Sequence, residues 1–585
     1  MNRKRLAYTL SLFAAIFILS LMACKPENNR GNVVTVRTPT EPEKLNPLTT
    51  EDVSAVLITN QIFMPLLEFD PKTLQITPVL AKSRPIVVRL DTGKYKGGTS
   101  YTYEIREEAV WDNGKPVLAT DYLFTIKTIF NKKTASSNLR SGLDFVKEIV
   151  LDAQNPKKFT IFSDRAYILS ETNSSTFPLL PEYIYDTEGV LKNYTLVDLA
   201  KTAKDTTKKE DEKLLKFSSS FQSVKHSREK AGIVGCGPYY FDEWIGGQSI
   251  SVKKKANWWG NKLAASSPFM TALPDQIIYK PIKDPSTVMS LIQNGELDAI
   301  SGISSKDFTT MKNDERLAAQ YELATFPTLS LAHIGFNCKD PKLSDKRTRR
   351  AIAYLVDVDA IINNLSAGLG TRSASTFLPQ RAYYNKDLPL IPLDIEKAKT
   401  LLAEAGWVDS NGDGTVDKRI GGKITELVLR YVFTTNESSK NIGLMVQESG
   451  KKAGVGIKLE AVESPIMMDN FKKRNYDIFY NGMGFSPGID DPKEIWHSTN
   501  NIPDGANRFQ FENKQADILI EQIRTELDEE KRNVLYKQFQ ALIYDEQPAV
   551  FLIVRQERIA IHKRFEAPVM VRRPGFLPNT FKLRQ

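Results

Sequence analysis

A basic cluster, Arg3-Lys4-Arg5, an apolar run from Leu6 to Ala23 and a cysteine at position 24 decide where the rest of this chain must fold. Only Tyr8, Thr9, Ser11 and Ser20 interrupt the run. About 18 apolar residues approach the length that spans a bilayer, so a plain membrane anchor is one reading. A cleaved export segment is the other. It is favoured by the cysteine at the end of the run and by the polar stretch Lys25–Asn32 that follows at once. Under both readings the body must fold in water outside the cytoplasm.

With Leu21 three positions before it and the small Ala23 just before it, Cys24 resembles the lipobox cysteine of bacterial lipoproteins. The resemblance implies a signal peptide over 1–23, acylation of Cys24 and a tether over 24–32. The chain would then be held at a membrane on its extracytoplasmic side, at the periplasmic face or the cell surface. The 585 residues are too many for one hydrophobic core and predict two to four domains. A hydrophobic content of 41% and a charged content of 25% exclude general disorder and a multi-span membrane protein. Three of the nine net positive charges belong to Arg3, Lys4 and Arg5, and no basic run alternates with stacking aromatics, so no nucleic-acid partner is expected. Lysines and acids alternate over 206–213 as on a solvated helix face. Besides Cys24 there are Cys236 and Cys338, which an exported chain could carry either as free thiols or as one bridge.

Along the body, strand and helix patterns alternate. Strands are predicted at 33–36, 101–105, 158–162, 427–433, 457–461, 550–554 and 558–562, and a hairpin turns at Gly246-Gly247. Helices are predicted over 53–67, over 122–130 with Thr120 as cap, and from Ser344-Asp345 with Ile352, Leu355, Val358, Ile362 and Leu365 on one face. Further helices are expected at 287–294, 398–405, 442–452, 516–527 and 529–545, and the charged 186–231 region reads as a helical surface elaboration. Hairpins beside the alternation indicate a mixed α/β protein.

One stretch is chemically distinct. Tyr476–Tyr480 reads as a strand, after which Gly482, Gly484, Pro487, Gly488, Asp490, Asp491 and Pro492 lead to Trp496. Glycine lets a backbone approach a ligand, aromatics supply flat apolar area, and carboxylates accept charge-assisted hydrogen bonds. The combination reads as a pocket wall. Asp490 and Asp491 have a second reading as turn residues capping a helix over 492–496, and Trp496 as a core side chain.

No catalytic centre emerges. Gly484-Phe485-Ser486-Pro487-Gly488 matches the nucleophile-elbow spacing, but the residue after the serine must donate its N–H and Pro487 has none. His226, His333, His497 and His562 form no metal-binding pair, and neither a phosphate-binding loop nor a C-x-x-C is present. Asp409–Asp417 begins like a calcium loop, but position twelve is Ile420 and Lys418-Arg419 adds repulsion, which favours a plain turn. Neither a metal nor a cofactor is expected.

Pieces spread over almost the whole body then resemble family 5 of the bacterial extracellular solute-binding proteins, the peptide-binding lipoproteins of ABC importers. They are Leu45-Asn46-Pro47; Tyr103–Arg106 with Trp111–Val117 and Ala119-Thr120-Asp121; Gly235–Tyr239; Asn294–Asp298; Phe336-Asn337 with Arg349–Tyr354; and Leu401–Trp407. The resemblance implies a type II periplasmic-binding-protein-like α/β fold of two lobes and a hinge. Domain I is discontinuous (33–60, 178–328 and 548–585), domain II is inserted at 61–177, and domain III spans 329–547. It implies a monomer that encloses a peptide or related small solute between domains I and III and delivers it to permease subunits. Where peptide-binding members place an Asp for the peptide amine, four residues before the loop proline, this chain has Gly488, with Asp490 and Asp491 nearer Pro492. Glu51, Val53, Gly484 and Phe485 match ligand-lining positions. A surface sensory or adhesion lipoprotein and a lipoprotein hydrolase are the rival expectations.

Overall fold

The computed structural model describes residues 30–202, 211–263 and 267–585. Cys24, the export segment and most of the tether lie outside them, as does most of the charged 206–213 stretch. An 11-stranded sheet forms the backbone of the molecule. Its strands are β1 (Val33–Thr38), β2 (Tyr239–Ile245), β3 (Ser249–Lys254), β4 (Gln276–Pro281), β5 (Ala299–Ser301) and β6 (Tyr321–Phe336). They continue with β7 (Gly370–Arg372), β8 (Val428–Thr434), β9 (Gly456–Val462), β10 (Ile478–Gly484) and β11 (Ala549–His562). The spatial order is β9-β8-β10-β6-β11-β5-β1-β4-β3-β2, and β7 pairs with β11. Parallel pairs (β1 with β4 and β5, β8 with β9 and β10) mix with antiparallel ones, as alternation plus hairpins predicts.

The sheet serves several cores. One apolar cluster is built from residues between Val34 and Ala299, closed by Phe326, Ile559 and Ile561. Two others gather residues between Leu331 and Val554, including Ile334, Phe336, Val550 and Leu552, with Ile168 reaching into one of them, and a smaller one joins residues between Val288 and Tyr321 to Ala560. The molecule therefore has an N-lobe and a C-lobe, and β6 and β11 run through both. The first half of β6, Tyr321–Pro327, pairs with Gln556–His562, and its second half pairs with Ala549–Val554 and with β10. Between the halves the register slips, at Pro327/Leu331 and again at Leu331/His333. Pro327 has no N–H to give the ladder, so the break falls where the chain cannot sustain pairing.

Several quoted motifs turn out to be braces. Asp298 is fully buried and takes both ends of the Arg564 guanidinium at 2.7 Å and the Thr35 N–H at 2.8 Å, tying β1 to the C-terminal segment. Asp121 accepts from the Trp111 indole at 3.1 Å and the Leu118 N–H at 2.9 Å. Arg349 donates to the carbonyls of Leu343, Ser344, Glu546 and Gln547. Each pays for its burial with saturated hydrogen bonding.

Local expectations are corrected in five places. The first helix is Val53–Ile62 and not 53–67, because Phe63 turns extended ahead of Pro65. The 119–130 helix starts before Thr120, capped by Asp121 reaching back. The face running to Leu365 is broken: a helix at Lys346–Ala353 is followed by short pieces at Val358–Ala360 and Ile361–Leu365. The strands at 550–554 and 558–562 are one strand, β11, because Arg555 pairs with Gly370 of β7 and Gln556 and Glu557 pair with Pro327 and Phe326 of β6, which carries the ladder through. The 186–231 region is also less superficial than its charge suggests, since Leu214, Phe217 and Phe221 of the Glu212–Phe221 helix enter the N-lobe core.

Candidate functional site

The strand β10 begins in the C-lobe core and ends at the junction between lobes. Ile478, Phe479 and Tyr480 are buried. Past them the period of two takes over: Met483 points into the core, whereas Gly482 and Gly484 are exposed. Gly484 sits opposite Ser330, beside the register slip of β6, and the Phe485 N–H continues the pairing to the Leu329 carbonyl at 2.9 Å. A Cβ on Gly484 would meet nothing within 4 Å. The backbone here faces open space, which is what a wall for an extended ligand needs. Phe485 is half-buried against the C-lobe core.

Beyond Phe485 the loop is clamped. Asp490 is 7% exposed and accepts from Arg381 Nε and Nη2, both at 3.2 Å, and from the Tyr383 hydroxyl at 2.5 Å. Arg381 also donates to the carbonyls of Pro487, at 2.6 Å, and Ser486. The Tyr536 hydroxyl donates to the Asp490 carbonyl, and Tyr536 stacks on Tyr383 with ring centroids 4.1 Å apart. Burial pushes the Asp490 carboxyl above the usual carboxylate range, against the pull of Arg381 and Tyr383.

Asp491 is likewise engaged. It accepts from Arg524 Nε at 2.8 Å, the Tyr167 hydroxyl at 3.0 Å and the Lys493 N–H at 3.0 Å. Burial works against the Arg524 charge, but the hydrogen bond and charge of Asp491, together with Glu521 and Tyr167, outweigh it and raise the Arg524 pKa. Tyr167 belongs to the N-lobe chain, and Ile168 beside it donates its N–H to the Arg524 carbonyl at 3.0 Å. Gly488 extends the same contact, for a Cβ there would lie 2.7 Å from the Phe69 ring. Asp491 and Gly488 therefore hold the loop against the N-lobe, and Asp490 holds it to its own lobe.

Of the eight expected ligand-lining residues, Gly484 and Phe485 stand at the open end of the wall. Gly488, Asp490 and Asp491 have protein groups on their polar or contact surfaces. Trp496 is core, 1% exposed and stacked on Phe509 with centroids 4.6 Å apart. Glu51 and Val53 lie in the N-lobe at the start of the Val53–Ile62 helix. There Asp52 caps the helix through the Ala55 N–H at 2.9 Å, and Asn138 donates to Glu51. Val53 is 66% exposed. The helix is seated by Gly235-Cys236-Gly237: a Cβ at Gly235 would overlap the Ile62 carbonyl oxygen, and one at Gly237 would come within 2.7 Å of the Gln61 carbonyl oxygen. Arg381, Tyr383, Tyr536, Tyr167 and Arg524 escaped sequence reading. They reach the loop from positions remote in the chain, and no local pattern marks them.

The remaining motifs resolve locally. Asp409 accepts from the N–H groups of Gly412 and Gly414, and Asp413 from that of Thr415, so the 409–417 carboxylates serve their own turn. Ser486 offers its carbonyl to Arg381. Cys236 and Cys338 are free thiols in separate lobes, which burial raises to about 12 and about 11. Among the described residues no helix is long and apolar enough to cross a membrane, and no group of three or more His, Cys, Asp or Glu could hold a metal ion.

Two lobes, joined by a pair of crossing strands and opening beside the join on a glycine-faced wall, define a two-lobed α/β binding protein. The family model described as bacterial extracellular solute-binding proteins, family 5 Middle, matches residues 75–503, and the chain belongs to that family. It is 26% identical over 97% of its length to the oligopeptide-binding protein AppA of Bacillus subtilis, covering 96% of that protein. The solved structure of AppA in complex with a nonapeptide superposes with a TM-score of 0.62, at 22% identity, over 94% of this chain and 99% of that one. The dipeptide-binding protein of Escherichia coli is 25% identical over 87% of both chains. NikA from Brucella suis, solved in complex with Fe(III)-EDTA, has the same fold with a TM-score of 0.72, at 19% identity over 94% of this chain and 100% of that one.

Proposed function

We propose that this chain is the substrate-binding lipoprotein of an ABC importer, that its substrates are peptides, and that it hands them to a membrane permease without chemical change. The observation that carries the reading is the open backbone at Gly484, placed where β6 loses register between the two lobes. An extended ligand laid on that wall can be enclosed when the lobes rotate about the slip at Pro327–Leu331 and the facing Val554–Gln556. The peptide assignment is supported by relatives named as oligopeptide- and dipeptide-binding proteins. In this reading the N-lobe holds domain I (33–60, 178–328, 548–585) with domain II inserted at 61–177, and the C-lobe is domain III (329–547). Glu51, Val53, Gly484 and Phe485 line the ligand, and acylated Cys24 anchors a monomer on the extracytoplasmic side of the membrane.

The test is native mass spectrometry of the purified mature chain, followed by thermal shift with pooled di- to nonapeptides. Retained peptide, or a melting temperature that rises with peptide concentration, is expected, since a ligand bound only by the folded state raises apparent stability. No retained peptide and no response to any pool would overturn the assignment.

A further inference from the structure

The Val53–Ile62 helix is apolar on two sides. Ala55, Ile58 and Ile62 are fully buried in the N-lobe core. Val53, Val56, Leu57 and Asn60 recur at helical spacing on another face, where Val53 is 66% and Val56 38% exposed. A helix paired with core on one side gains nothing from a second apolar face in water, unless something covers it. That face borders a cavity of about 130 Å³, completed by Phe63, Met64, Val79, Phe269 and Leu577. The charged groups at its margin are spent: Arg572 pairs with Glu68 at 2.7 Å and Arg573 with Glu557. Asn579 donates to the carbonyls of Pro268 and Thr271, both at 2.9 Å. What the cavity offers an incoming group is mostly apolar wall, with Asn60 and Gln61 among its lining.

We infer that this cavity is a preformed subsite for one large apolar side chain, leucine- or phenylalanine-sized, of the captured peptide. The inference rests on the peptide-binding reading above. The volume fits, since an apolar cavity of about 150 Å³ accepts a benzene-sized group. All lining residues come from the N-lobe, so the subsite exists whether or not the lobes have closed. It therefore selects ligands at first encounter, before the C-lobe wall arrives. The uncovered valines are the entrance.

Two probes test this with the mature chain. Calorimetric titration with Ala-Ala-Ala, Ala-Leu-Ala and Ala-Phe-Ala, together with the two positional isomers of each substituted peptide, should show at least one Leu or Phe peptide binding tenfold or more tightly than the all-alanine one. That is the scale for burying one such side chain. The preference should fall below twofold in Val56→Asp and in Val53→Asp, whose sites are solvent-facing, so that folding survives. Separately, ¹⁹F line broadening of fluorobenzene should report binding to the wild-type chain and its loss in Val56→Asp. Peptides bound without apolar preference, or a preference that survives both substitutions, overturn the subsite and leave the peptide reading standing. Fluorobenzene bound while every peptide fails supports the cavity as a site and removes the peptide as its occupant. Fluorobenzene failing to bind overturns the subsite outright.

Discussion

Replacing Arg381 by methionine is the sharpest perturbation of the wall. The guanidinium is 8% exposed and its partner carboxylate on Asp490 7%. Methionine keeps the aliphatic volume but leaves Asp490 buried without its cation. Breaking a buried pair from one side costs roughly 3–5 kcal/mol, because the surviving charge keeps its desolvation penalty. The carbonyls of Ser486 and Pro487 also lose their donor, but Ser486 is exposed and Pro487 half-exposed, so water can replace much of that bond. The sum points to about 4 kcal/mol, read as a fall in the urea midpoint of the C-lobe transition at constant slope. Asp490→Asn keeps the shape and an acceptor for Tyr383, and should cost about half as much. Arg381→Met combined with Asp490→Leu removes both charges, so the double variant should regain 1–3 kcal/mol relative to the sum of its single changes. A loss under about 1 kcal/mol for Arg381→Met, or strict additivity in the double variant, would refute the claim that this pair holds the loop. The same change should speed ligand dissociation, since the loop after Phe485 loses its clamp.

Two further outcomes follow from the packing. His333 is buried between the rings of Phe479 and Phe509, and burial lowers its pKa from 6.5 to about 4. The unfolded chain takes up this proton near 6.5 and the folded one only near 4. The resulting stability is present above pH 6.5 and is lost as the pH falls toward 4, at roughly 3 kcal/mol in full; urea midpoints at pH 7.5 and 4.5 should converge in His333→Leu relative to wild type, and an unchanged gap would count against the assignment. Gly235→Ala drives a methyl into the Ile62 carbonyl under the Val53–Ile62 helix, a backbone contact that cannot rotate away; about 2–3 kcal/mol of destabilisation with weakened ligand binding is expected, and a wild-type melting curve would disprove the close approach.

Much of the fold was legible because it is written in local patterns. Runs of β-branched, aliphatic and aromatic residues marked the strands at β1, β8, β9 and β10, and glycine stops marked the ends of the helices before Gly295 and Gly406. Where local reading failed, a tertiary partner had intervened. Propensity continued the first helix past Ile62 and split β11 in two. The approach to Pro65 and the pairing of β11 with β6 decided otherwise. The candidate site was half legible. Its glycines and Phe485 stood out as a composition, whereas the duties of Asp490 and Asp491 depended on Arg381, Tyr383, Arg524 and Tyr167.

By itself, the sequence determined a mixed α/β chain with a glycine-rich wall after a strand, and it disqualified the serine elbow, because Pro487 carries no N–H in any conformation. Only the tertiary structure decided which groups remain free to meet a ligand. A carboxylate in sequence is a potential contact, but a buried one must find partners within the protein, and those partners are named by the fold. Asp490 and Asp491 are spent in that way, and the open surface falls instead to a backbone at Gly484 and an uncovered helix face at Val53 and Val56.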